Sequence, residues 1–233
     1  MSVTSAVDLV SPLIAGHHVR VAYIAVALGE HLGLSRERLH DLVLACSFYD
    51  IGAFSLKQRM DTLKLDVDDL FTHAERGYRF LVRFGFLQQA AEIVRYHHNN
   101  WAYGKGDPSS GEVEELAYLV HLADRIDVLA QDDGHILTQV SGIISRIDEG
   151  AGARFVPAHV KAFHELAARE YYWLDATSPP VAEVLRRRFA AAELALDHAE
   201  LESLARMLSN ITCRILESMG ELGPMPGWAS SRH

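Results

Sequence analysis

Six residues of this chain, His17, Asp50, His73, His97, His98 and Asp124, stand at positions where helical periodicity calls for an apolar side chain. His17 leads a stripe continued by Val21, Ile24 and Leu28, while Leu39, Leu42, Val43 and Cys46 run up to Asp50. His73 opens a face carried on by Gly77, Phe80, Leu81 and Phe84; Ala90, Ile93 and Val94 precede His97 and His98; Ala117, Val120 and Val128 flank Asp124. Imidazole nitrogens and carboxylate oxygens are the usual ligands of Zn, Fe, Mn, Co or Ni. Several of them gathered in one core need a cation, because an unpaired buried carboxylate is costly. Taken singly, a histidine at a helix end is more often a cap or a surface residue, and His31, His40 and His198 read that way. Recurrence on five different helices is what points to a metal.

The sharpest of these positions lies in CSFYDIGAF, residues 46–54. An apolar helical face runs out there and is followed at once by Tyr49 and Asp50. Something positive must sit close to that carboxylate.

The elements that would position these groups are helices. Three-four spacing predicts them over residues 17–33, 36–49, about 73–84, about 90–98, about 117–128, 135–149 and 158–174, the last opened by Pro157. Gly33 followed by Ser35 reads as a stop and a new N-cap. Residues 99–112, NNWAYGKGDPSSGE, read as a loop. The SPP at 178–180 breaks the chain, and a final helix is expected from Asp197 to Ser218 with Leu201, Leu204, Leu208, Ile211 and Ile215 on one stripe. That stripe either docks on the body of the domain or pairs with a second copy as a homodimer. No period-two pattern competes, so the fold class is all-α.

With 233 residues, 49% apolar and 23% charged, the chain suits one globular domain with an appendage. A formal net charge of −9 argues against nonspecific binding to nucleic acid or an anionic membrane. The longest apolar run, Val21 to Leu28, is too short to span a bilayer, and the N-terminal stretch has no basic residue before Arg20, so the expected location is cytoplasmic. Cys46 and Cys213 form no metal or redox motif and are expected to be core thiols.

These pieces resemble, in order over roughly residues 7–175, the HD-domain metal-dependent phosphohydrolases, and within them the HD-GYP-like branch. HHVRVAYIAVALGEHLGLS is similar to the family's opening helix, YDIGA to its His-Asp-Ile-Gly core, HAERG to the next helix start, RYHHNNW to its paired histidines and HLADRIDVLA to its aspartate helix. GARFVPAHVKAFHEL resembles the stretch after the catalytic core. The resemblance implies an HD-domain helical bundle over residues 1–176, a helical extension over 177–219 and a flexible tail over 220–233.

The resemblance further implies one metal held by His17, Asp50 and Asp124, with the motif histidine replaced by Tyr49. A second metal would be held by His73, His97 and His98, with Asp50 bridging the two. The implied reaction is hydrolysis of a phosphoester or phosphodiester by a metal-activated hydroxide, on a nucleotide or cyclic dinucleotide. Fe or Mn is favoured, with Ni, Co or Zn as other candidates. A phenol of reference pKa about 10 binds metal well only when a cation drives off its proton, which ferric iron does most readily.

The chain also departs from the family pattern. The lysine after Asp-Ile-Gly is Ala53, with Lys57 the nearest replacement; the GYP signature appears as Gly106-Asp107-Pro108; and the acid some members place ahead of the first histidine is Leu13. Arg125 and Lys105 are basic residues placed to meet a phosphate. An enzyme using Asp50, Lys57 and Arg125 in catalysis is favoured over an impaired metal-binding module that serves signalling or protein interaction.

Overall fold

The computed structural model describes residues 16–53, 70–104, 114–130, 135–178 and 180–189, with scattered positions between 198 and 213. They form helices α1 (His17–His31), α2 (Arg36–Phe48), α3 (Leu70–Leu81), α4 (Gln88–Tyr96), α5 (Glu115–Leu129), α6 (Ile136–Asp148), α7 (Pro157–Ala167), α8 (Glu170–Thr177) and α9 (Val181–Phe189). Among the described residues the only β-type pairing is an isolated bridge between Ala151 and Phe155. None of these helices is long and apolar enough to cross a membrane.

Two helices form the centre. From Val21 to Gly29 α1 is buried without interruption, as α5 is from Leu116 to Asp127. A helix apolar on all sides must lie inside, and α1 duly packs against α2, α5, α7, α8 and α9. The pair α3 and α4 closes the remaining side, with α4 against both α2 and α5.

The turn between α1 and α2 places the first candidates. Gly33 adopts φ +79°, a left-handed conformation that suits glycine, and its N–H bonds Glu30 O at 3.1 Å while Leu34 N–H bonds Gly29 O at 2.9 Å. Ser35 then caps α2 by accepting from Arg38 N–H. So short a link folds α2 back along α1, and the N-terminus of α1 shares an end with the C-terminus of α2. His17 begins α1 and Asp50 lies two residues past the end of α2.

Four expectations need correction. The helix expected over 158–174 is two helices, since Arg169 turns extended and the Trp173 indole donates to Ala167 O at 2.9 Å, so the buried ring closes the break. Beyond the SPP break the chain forms α9 at once, where the Pro180 carbonyl accepts from Glu183 and Val184 and Val181 and Leu185 are buried. The loop at 99–112 begins with a helical turn, Trp101–Gly104, pinned by Trp101 N–H to Arg154 O and Ala102 N–H to Ala153 O. Cys46 is a core thiol as expected, but Cys213 is exposed. The stripe Leu201, Leu204, Leu208, Ile211 and Ile215 lies outside the described residues.

Candidate metal centre

Asp50, His73, His97 and His98 come together, each buried, with one ligand atom apiece inside a span of 4.8 Å. Each is delivered differently. Tyr49 ends α2, and Ile51 N–H to Phe48 O and Ala53 N–H to Asp50 O fold the next residues into a tight turn that turns Asp50 inward. His73 stands in the first turn of α3, and His97 and His98 follow the last turn of α4.

Gly52 sets how closely these two parts approach. A Cβ at that position would lie 2.0 Å from the His73 carbonyl oxygen and 2.7 Å from the Gly77 nitrogen. The turn and α3 thus touch backbone to backbone. The resulting contact puts His73 Nε2 3.2 Å from Asp50 Oδ1.

Polar atoms in this cluster lack the partners that burial normally demands. Asp50 Oδ1, His97 Nε2 and His98 Nδ1 are inaccessible to solvent and make no hydrogen bond. His98 Nε2 lies 2.9 Å from His73 Nε2, within hydrogen-bonding distance. His97 donates from Nδ1 to Val94 O at 2.6 Å, which fixes the tautomer and leaves the Nε2 lone pair directed into the cluster. Three imidazoles and a carboxylate so arranged fit a transition-metal ion. Burial, with the neighbouring His73 next, pushes His97 down to about 4; burial and then its histidine neighbours hold His98 well below the ordinary value. Both rings are therefore neutral near pH 7, the form that binds metal. Burial opposes ionisation of Asp50, but contact with His73 overcomes this and keeps it below the usual carboxylate range.

His17, Tyr49 and Asp124 also meet, and there every polar atom is used. The Tyr49 hydroxyl is 2.5 Å from His17 Nε2 and donates to Asp124 Oδ1 at 3.1 Å. His17 Nδ1 is 2.6 Å from Asp127 Oδ2, and Arg20 donates to both Asp127 oxygens at 2.7 and 3.0 Å. Arg125 donates from Nε to Asp124 Oδ2 at 2.8 Å and from a terminal nitrogen to the same oxygen. Burial alone would lower His17, but its bonds to Asp124 and Asp127 carry it up to about 10, so it is an imidazolium that donates from both nitrogens. Burial, then the Asp124 and Asp50 charges, lift Tyr49 well above an ordinary phenol. This is a mutually paired charge network beside the cluster, with the Tyr49 and His97 rings 5.2 Å apart.

Arg125 borders a cavity of 440 Å³ that is also lined by Asn100, Arg146, Glu149 and Arg154. Lys57, Lys105 and Asp107 lie outside the described residues. Asp127 and the role of Arg20 escape a reading of the sequence by faces. Their signal is spacing: Asp127 is three residues past Asp124, and Arg20 three past His17, so each pair shares a helix side.

A helical bundle that draws histidines and aspartates from five helices to one end has the architecture of an HD domain. The HD domain family model matches residues 14–129, and the chain belongs to that family. It is similar to the 3'3'-cGAMP-specific phosphodiesterase 1 of Vibrio cholerae, 23% identical over 222 residues that cover 90% of this chain and 51% of that protein. It is also similar to a cyclic di-GMP phosphodiesterase of Thermotoga maritima, 25% identical over 162 residues, 64% of this chain and 44% of that one. The chain thus spans about half the length of the curated relatives it matches. In fold it resembles the crystal structure of a cyclic GMP-AMP specific phosphodiesterase from V. cholerae, with a TM-score of 0.69 over 91% of this chain and 58% of that one, at 20% identity.

Proposed function

We propose that this chain is a metal-dependent phosphohydrolase that cleaves a phosphodiester of the nucleotide or cyclic dinucleotide class in the cytoplasm. The observation that carries this reading is the cluster Asp50, His73, His97 and His98, which offers one ligand atom from each residue within 4.8 Å and in which Asp50 Oδ1, His97 Nε2 and His98 Nδ1 are buried without a hydrogen bond. Those four residues would hold the ion, with Fe or Mn favoured by the mixed nitrogen and oxygen donor set. A bound ion of this kind activates water as a nucleophile and offsets charge that develops on the phosphoryl oxygens.

The protein's own groups supply the rest. His97 is held in the ligating tautomer by Val94 O, and Asp50 by the turn that ends α2. Arg125, Arg146 and Arg154 line the neighbouring cavity with a single acidic side chain, Glu149, among its lining residues, which suits a phosphate-bearing substrate despite the net charge of −9. The printed activities of the Vibrio and Thermotoga relatives support cyclic dinucleotides as the first substrates to try.

The test is hydrolysis of bis(p-nitrophenyl) phosphate and of a panel of cyclic dinucleotides by protein reconstituted with ferrous iron or Mn²⁺. Turnover that requires metal and disappears in Asp50→Ala is the expected result. Fully metal-loaded protein inert toward every one of these diesters would sink the proposal.

A further inference from the structure

We infer that the Tyr49 hydroxyl stands in place of the first metal ion, so that this chain builds a one-metal centre in which His17 and Asp124 serve a hydrogen-bonded network and not an ion. The inference rests on the proposal that Asp50, His73, His97 and His98 bind metal, and it concerns how many ions the centre takes.

Satisfaction of lone pairs separates the two halves. In the Asp50 cluster, Asp50 Oδ1, His97 Nε2 and His98 Nδ1 are buried without a hydrogen bond, which fits residues that would hold a cation. In the other half, His17 contacts Asp127 through Nδ1 and Tyr49 through Nε2, while Asp124 accepts from Tyr49 on Oδ1 and from Arg125 on Oδ2. No donor atom there is left over for a metal. To bind one, His17 would have to give up the Tyr49 contact, and Asp124 would have to share its oxygens with a cation beside the Arg125 guanidinium.

Side-chain length gives the cause. A phenol oxygen reaches about 2 Å further from the backbone than the distal nitrogen of an imidazole, roughly one metal–nitrogen bond length. Replacing the family's motif histidine by Tyr49 therefore carries an oxygen past the ligand position and into the place of the ion. The observed contacts agree with this, since the hydroxyl sits 2.5 Å from His17 Nε2 and 3.1 Å from Asp124 Oδ1, between two groups the family pattern assigns to one metal. Arg125 supplies positive charge on the opposite oxygen of Asp124, and it lines the 440 Å³ cavity.

The experiment is a metal count on full-length protein loaded with excess ferrous iron or Mn²⁺ and freed of unbound metal, with circular dichroism to check folding. One ion per chain is expected in wild type and in Tyr49→Phe, which keeps the ring and loses only the hydroxyl. Zero is expected in His97→Ala. Tyr49→His, which shortens the side chain and restores a nitrogen, should take up a second ion. Ferric-loaded wild type should lack a visible phenolate-to-iron absorption band. Two ions in wild type, a lower count in Tyr49→Phe, a Tyr49→His protein that stays at one, or a phenolate band would each overturn the inference while leaving the hydrolase proposal standing. A count of zero in wild type would instead overturn both.

Discussion

Gly52→Ala adds one methyl group, and the structure says where it goes. The new Cβ would lie 2.0 Å from His73 O, against the 3.4 Å or more of ordinary contact, and 2.7 Å from Gly77 N. Both obstacles are backbone atoms, so no side-chain rotation relieves them; the turn after α2 and helix α3 must separate by about 1.4 Å. Overpacking of this kind costs about 3 kcal/mol, the upper part of the usual range, because the contact is rigid on both sides. For a chain of this length that lowers the melting temperature by roughly 6–12 °C. The separation also acts on the proposed ligands, since α3 carries His73 and the turn carries Asp50. Their 3.2 Å contact between Nε2 and Oδ1 would open past 4 Å. Differential scanning calorimetry of the metal-free protein and the metal count after loading are the assays. Weakened metal retention is expected together with the lower melting point. A variant that melts within about 2 °C of wild type and keeps its ion would refute the claim that the Gly52 approach sets the geometry of the centre.

Three further outcomes follow from the same contacts. Asp127→Asn removes the carboxylate that pairs with both His17 and Arg20 in a buried setting, and should cost about 3 kcal/mol or more in urea unfolding; a loss under about 1 kcal/mol would mean the network is not structural. Arg125→Gln should raise KM for a diester roughly ten-fold with a smaller change in kcat if Arg125 meets the phosphate as proposed, because a charge-assisted contact would be lost; an unchanged KM would remove Arg125 from substrate binding. Stability of the metal-free protein should peak near pH 6.5. Burial pushes His97 to about 4 and His121 to about 3, so on the acid side unfolded histidines take up protons first, and stability is lost as pH falls through those values. Against its burial, the bonds of His17 to Asp124 and Asp127 raise it to about 10, so its contribution is complete below 6.5 and fades as pH rises toward 10. Urea midpoints that stay flat from pH 5 to pH 9 would contradict both assignments.

The helical class and the chemistry-bearing residues were legible in the sequence because periodicity is local. His17, Asp50, His73, His97, His98 and Asp124 each interrupt an apolar face, and a polar group on such a face is visible without knowing what it meets. Helix ends with strong chemistry were legible too, as Gly33 and Ser35 bound the first turn where expected. The break at Ala168 and Arg169 was not, since it depends on a Trp173 indole finding a carbonyl six residues back. Helix α9 is stabilised by packing on α1, a contact no window of sequence contains.

What the sequence determined, then, was the supply of histidines and aspartates on apolar helix faces and the place of Tyr49 beside Asp50. What only the tertiary structure decided was how those groups divide. Three imidazoles and Asp50 converge with Asp50 Oδ1, His97 Nε2 and His98 Nδ1 lacking a hydrogen bond, whereas His17, Tyr49 and Asp124 satisfy one another, because Asp127, Arg20 and Arg125 bring charge to them from α1 and α5. The reach of a phenol and the direction of a lone pair depend on neighbours as much as 110 residues away in the chain. Spacing along a helix carries no record of them.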